Sequence, residues 1–329
     1  KKLIIGGDTS LNSGTKNIVF NGSVNSTEST ESTEANLTLI GGDISFANAV
    51  GDINRLGAFT ITSTGEVKFQ SIDATPAVAQ DISAKSLSVT AAKSFISGNI
   101  TTAGGDVDIT ASDSIIVQSI NTSADTAGKI ALTVNGNGDE KSITVNGDLN
   151  AQSTDYSQND VVLTLEDTSA AGTINLKHTS FFSSDVTLTG LGEKNTLNAL
   201  DVDNTWELTA DNAGTITGNT NSKKITFSGF ENINGGSEGD AFIVKNNSKF
   251  TGLIDGGAGA NSLNIADESN TDAYAIAVAN IYDENASLTV KGITTIVGNN
   301  HNDTSLIIVS GNNEWKIDGV DKISRVNNS

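Results

Sequence analysis

The sequence predicts an all-β protein, a parallel β-helix or solenoid with coils of about 20 residues. Three observations predict it: a 20-residue period, short apolar alternations between turn residues, and the scarcity of helical patterning. The period shows in two consecutive segments. Leu87 to Asp106 reads LSVTAAKSFISGNITTAGGD and Val107 to Thr126 reads VDITASDSIIVQSINTSADT. Apolar residues coincide at Leu87/Val107, Val89/Ile109, Phe95/Ile115, Ile96/Ile116 and Ile100/Ile120, Thr90-Ala91 matches Thr110-Ala111, and Ser94 matches Ser114. A short period with fixed apolar offsets marks coils stacked one on the next. The template extends less completely to Phe59, Ile61, Val67 and Ile72, and to Val161, Leu163 and Ile174. At that coil length the 329 residues give ~16 rungs and a rod ~75–80 Å long at ~4.8 Å per rung.

The second observation is local. Leu37-Thr38-Leu39, Phe59-Thr60-Ile61 and Ile143-Thr144-Val145 alternate apolar and hydroxyl residues between Asn, Gly and Asp. Alternation of period two places one set of side chains in a core and the other outside. The single proline, Pro76, suits stacked strands whose amides all need partners.

Along the chain, residues 1–58 hold irregular coils: Leu3-Ile5, Ile18-Phe20 and Leu37-Ile40. Between them Asn25 to Glu34 reads NSTESTESTE and, with no apolar residue, is expected to project as a loop. Residues 59–190 hold the regular coils, with Asp73 to Ser86 as extra length in a side loop at Pro76. Residues 191–329 carry a longer period. Asn195-Thr196-Leu197 followed by Trp206 is echoed by Thr304-Ser305-Leu306 followed by Trp315, and these are the two Trp of the chain. The second copy is cut short at Ser329, and with no Met at position 1 the chain reads as a processed product or a segment of a longer array.

The segments from Gly98 to Ile109 (GNITTAGGDVDI) and from Ile143 to Leu149 (ITVNGDL) resemble the repeats of filamentous-haemagglutinin-like exoproteins, large bacterial adhesins of the two-partner secretion type. The Phe227–Gly236 and Ile254–Leu263 segments are similar to modules of long bacterial surface proteins. The resemblance covers about two thirds of the chain, and its motifs are degenerate. It implies a right-handed parallel β-helix, export to the cell surface, and a structural role in adhesion, biofilm or filament formation. The N-terminal secretion domain of that family is not recognisable here.

Composition narrows the partners. A net charge of −20 repels a phosphate backbone, so nucleic acid is not an expected partner. No apolar run is long enough to span a membrane as a helix. The expected partners are neighbouring segments or copies of the chain, added at terminal strand edges, and host or matrix glycans or proteins. With no Cys there are no disulfides, thiolate metal sites or thiol nucleophiles.

The chemistry-bearing residues point away from an enzyme. His178 and His301 have no neighbours that read as a triad. Asp106/Asp108 and Asp201/Asp203 place two carboxylates on one side of a strand, the pattern of a carbohydrate-active β-helix such as a polysaccharide lyase or hydrolase. Gly-Gly-Asp is equally turn chemistry, and with 5% aromatic residues, most Phe at core offsets or in apolar runs, a sugar platform is disfavoured. Gly256 to Asn264 matches the calcium nonapeptide G-G-x-G-x-D-x-U-x except that Asn261 replaces the Asp, and Gly235 to Phe242, with Asp240, is a looser copy. Isolated copies do not supply opposed carboxylates, so metal-free glycine turns are expected, with a calcium-stabilised module as the alternative. Thr60, Thr62, Thr64, Thr101, Thr102 and Thr110 suggest a threonine array without a T-x-T at one coil offset. The sequence therefore assigns no catalytic, cofactor or metal residue.

Overall fold

In a computed structural model the chain is all-β, and no helix occurs among the described residues. These are 1–27, 34–71, 76–136, 141–153, 160–166, 171–179, 182–218, 223–265, 274–278 and 288–298, with the strands 305–308, 314–317 and 322–326 described by their backbone. Ile72, His301 and most of the Ser/Thr/Glu run thus lie outside the description. The chain divides into two compact units, Lys1–Ala170 with Phe182–Thr187, and Ala171–Phe181 with Leu188–Ser329.

The first unit is held by three ladders of parallel strands. One carries Thr9, Leu37, Phe59, Leu87, Val107, Ile130 and Val161 as successive Cα partners, with Leu11, Leu39, Ile61, Val89, Ile109, Leu132 and Leu163 two residues on. The second runs Ile18, Ile44, Val67, Phe95, Ile115, Ile143. The third runs Leu3, Val24, Val50, Ile82, Ile100, Ile120, Leu149. Every apolar pair expected between the two 20-residue segments is a pair of ladder partners. The cause is the alternation: Leu37–Gly41, Ile130–Val134 and Val161–Leu165 each bury every second residue. A register slip of one residue would turn these apolar sets to water.

Several expectations need correction. The period is not uniform. In the first ladder the steps between partners range from 20 to 31 residues, so ~16 equal rungs is an overcount. Ladder register sets the stacking, while the connections absorb the differences in length. Ala111 faces Ala92 rather than Ala91, because the pairing shifts at a bulge between Ile109 and Ser114. The segment Asp73 to Ser86 is not all loop. A strand, Ile82–Ile96, begins inside it and buries Ile82 and Ala84. The Ser/Thr/Glu run is also anchored at both ends. Val24–Ser26 is a strand with Asn25 and Ser26 fully buried. The Asn25 side chain donates to Asp52 Oδ1 (2.7 Å) and accepts from the Ile53 amide (2.9 Å). Glu34, its side chain 2% exposed, pairs with Arg55. Polar residues escaped the apolar template because they are buried by hydrogen bonding rather than by hydrophobicity.

The inward residues stack as columns of like side chains. Phe20, Phe46 and Phe69 lie face to face, with centroids 4.7 and 4.4 Å apart, and Phe59 meets Phe46 edge-on at 5.9 Å. Each fully buried side chain of this kind removes enough apolar surface to contribute about 1.5–3 kcal/mol.

The second unit repeats the principle with more uneven steps, from 21 to 36 residues. One parallel ladder carries Ile174, Leu197, Ile233, Ile254 and Val290. Another carries Trp206, Phe242, Leu263 and Ile296. Into this unit is set an antiparallel meander, Asn204–Ala210, Ala213–Gly218 and Lys224–Ser228. Trp206 is fully buried, stacks on Phe242 at 5.3 Å and meets Phe227 edge-on at 5.6 Å. The Trp echo has a backbone counterpart. Trp206 pairs antiparallel with Ile216, and Trp315 pairs antiparallel with Arg325, ten residues on in both cases.

Candidate functional site

The outward positions of the first ladder form a hydroxyl face. Between the two buried files, Ser10, Thr38, Thr60, Ser88 and Asp108 succeed one another as partners. Beyond them Thr62 pairs with Thr90, and Thr110 with Thr133 and then Thr164. These threonines all sit three residues after the inward residue that opens the template, while the position two residues before them is Thr60, Ser88, Asp108, Ala131 or Val162, so a repeated T-x-T does not form. The 20-residue alignment shows the Thr90/Thr110 match, and the unequal steps carry Thr62, Thr133 and Thr164 outside it. Their hydroxyls repeat at the strand spacing of about 4.8 Å. At the first coils the face opens into a shallow groove lined by Asp8, Ser10, Asn36, Thr38 and Thr60.

The turns beside the ladder strands use Asp and Asn as clasps. Asp8 accepts the Asn36 amide (3.1 Å), and Asn36 accepts the Ala58 amide (2.6 Å). Asp43 accepts from Glu66 (3.0 Å), Asp81 from Asn99 (2.7 Å), and Asp106 from Lys129 (2.8 Å). Each short side chain ends on a backbone N–H of the next coil that the ladder leaves over. This places these carboxylates at turns, where they satisfy backbone donors.

The same role accounts for Asp106, Asp201 and Asp203 of the candidate carboxylate pairs, while Asp108 stands on the outward file of the strand. Asp106 is a turn residue ahead of the strand Val107–Val117 that contains Asp108. Asp108 stands above the ordinary carboxylate value, first through desolvation and then through the Asp106 charge. Asp201 and Asp203 do not lie on a strand but in the turn between Thr196–Asn198 and Asn204–Ala210. Asp201 accepts the amide (2.7 Å) and hydroxyl (2.5 Å) of Ser237, which lower its pKa, and Asp203 accepts the Gly239 amide (3.0 Å). His178 is half-buried just after the strand Gly172–Leu176. The described aromatic rings Trp206, Phe59, Phe95, Phe230, Phe242 and Phe250 are all buried, so none of them offers a flat platform to a sugar.

The glycine-rich segments form one stack of turns. Asn261 is fully buried; its Nδ2 donates to Ala258 O (2.7 Å) and to Gly292 O on the next coil (2.9 Å), and its Oδ1 accepts the Asp240 amide (2.8 Å). Asn195 does the same, donating to Gly192 O and Gly229 O, both at 3.1 Å. Gly257 has φ +72°, and a Cβ there would fall on the Gly236 carbonyl. Among the described residues no group of three or more His, Cys, Asp or Glu could hold a metal ion. Asn261, standing where the calcium nonapeptide has Asp, is a hydrogen-bonding staple between coils. Asn261→Ala should strand buried carbonyls and an amide and cost about 2–3 kcal/mol, read as an earlier urea midpoint.

No helix among the described residues is long and apolar enough to cross a membrane. In comparisons with known proteins, no family model, no curated protein and no solved structure matches the chain.

Proposed function

We propose that the chain is a structural and adhesive segment of a secreted bacterial cell-surface protein, built as a right-handed parallel β-helical rod and free of enzymatic activity. The observation that carries this reading is the set of three in-register parallel ladders in the first unit, each advancing one coil at a time. Such stacking supports stiffness, since every coil shares backbone hydrogen bonds with both neighbours. The outward Thr and Ser files and the acidic turns give the segment a hydrated surface for contact with glycans or matrix proteins. Strand edges at the ends suit pairing with further coils, of the same chain or of copies, and head-to-tail addition makes a filament rather than a ring.

Negative-stain electron microscopy, combined with retention of chain-coated beads on polysaccharide and matrix-protein surfaces, tests the proposal. Narrow elongated particles and retention above that of uncoated beads are the expected result. Globular particles, or release of reducing ends from acidic polysaccharides by the purified chain, would overturn it.

A further inference from the structure

One buried carboxylate in the stack of glycine turns is used by none of the roles above. Asp240 is 1% exposed, and its Oδ2 has no hydrogen-bond partner. Its Oδ1 accepts from Asn204 Nδ2 (2.8 Å) and Trp206 Nε1 (3.3 Å).

The repeat shows what this position is for. In three turns a glycine precedes a buried Asn or Asp by five residues: Gly190 and Asn195, Gly235 and Asp240, Gly256 and Asn261. In each, a Cβ on the glycine would collide with the side-chain terminus, which is Nδ2 of Asn195, Oδ2 of Asp240 or Nδ2 of Asn261. The two asparagines donate from that atom to a glycine carbonyl of the following coil, Gly229 O and Gly292 O. The ladder Asn234↔Asp255 and Asp255↔Lys291 puts Gly256 opposite Gly235 as Gly292 lies opposite Gly256. The carbonyl in the corresponding place for Asp240 Oδ2 is Gly256 O, and both atoms crowd the position a Cβ on Gly235 would take. An oxygen stands where its two counterparts carry an N–H, and it can donate only if it holds a proton.

We infer that Asp240 is a proton-operated joint between coils: protonated, its Oδ2–H closes on Gly256 O as the asparagine amides close on theirs, and ionised, it sets a carboxylate against a carbonyl and loosens the turn. The charge environment agrees. The charged groups nearby are Asp201 and Asp203 on the coil before, exposed Glu238 on its own turn, and on the coil after Asp255, which is paired with Lys291 (2.8 Å). Burial, with a smaller contribution from Asp203, pushes Asp240 up to about 6, against the opposing hydrogen bonds from Asn204 and Trp206. Because the folded value lies above the ordinary 3.8, this contribution to stability is full below about pH 3.8 and is lost as pH rises through about 6. The inference is independent of the adhesive reading, since it concerns the joint and not what the surface binds.

Amide hydrogen exchange on the whole chain tests it, with rates corrected for intrinsic pH dependence. Protection at Asp240 and Ser262 should fall about tenfold between pH 5 and 8 in the wild type. In Asp240→Asn it should stay constant and exceed the wild-type value at pH 8. Equal pH dependence in both proteins would overturn the inference. So would recovery of wild-type protection at pH 8 on adding calcium chloride, which would make Asp240 a cation ligand instead. A carboxyl ¹³C signal missing from Asp240→Asn and titrating near pH 6 would support it, and titration near the ordinary carboxylate value would sink it.

Discussion

Ile109→Asp should destabilise the first unit by about 3–5 kcal/mol. Ile109 is fully buried, with Val89 before it and Leu132 after it in the same file. A carboxylate at that point has apolar neighbours on both adjoining coils. It must either remain charged without a partner or take up a proton, and both alternatives cost free energy. Urea unfolding followed by circular dichroism reads the loss, and acidification should recover part of it by neutralising the new carboxyl. A midpoint within experimental scatter of the wild type would show that position 109 is not in the column.

Phe46→Ala should cost about 3–5 kcal/mol. Phe46 is the middle ring of the Phe20–Phe46–Phe69 stack and also meets Phe59 edge-on. Truncation opens a void that coils fixed by backbone ladders above and below cannot close. Phe46→Leu should cost much less, because it keeps most of the volume. Thermal melts of the two variants give the comparison, and a Leu variant as unstable as the Ala variant would point to strain rather than a cavity.

The coil-to-coil register between 87 and 126 was legible because both segments combine regular spacing with apolar identity, as at Leu87/Val107 and Phe95/Ile115. The strand beginning at Ile82 was not, since it holds the chain between two coils of unlike length and its second inward residue is only an alanine. Buried Asn25, Ser26 and Glu34 read as loop because hydrogen bonding leaves no mark in a hydrophobic template. Of the threonine file only the Thr90/Thr110 match was legible, because connections of variable length carry Thr62, Thr133 and Thr164 off a fixed period. In the glycine turns the motif and the loss of its Asp were legible, and the hydrogen bonds that Asn261 makes were not. Asn261 replaces a metal ligand in the pattern but serves as a donor in the fold.

A further file runs along the outside of the second unit: Asn175, Asn198, Asn234, Asp255 and Lys291 are successive partners. Asn198 Nδ2 donates to Asn175 Oδ1 (2.6 Å), Asn234 Nδ2 to Asn198 Oδ1, and Lys291 Nζ to Asp255 Oδ2 (2.8 Å). All three bonds point back toward the earlier coil. Asp255, when ionised, can only accept, so it can take a bond from the coil after it but cannot send one to Asn234. The file thus has a grammar. Each coil carries a donor or acceptor token legible only to the coil beside it, and exchanging the Asp255 and Asn198 coils would set a carboxylate against the Asn175 acceptor. The strands of this ladder are not interchangeable bricks, and their order is written on the surface as well as in the core.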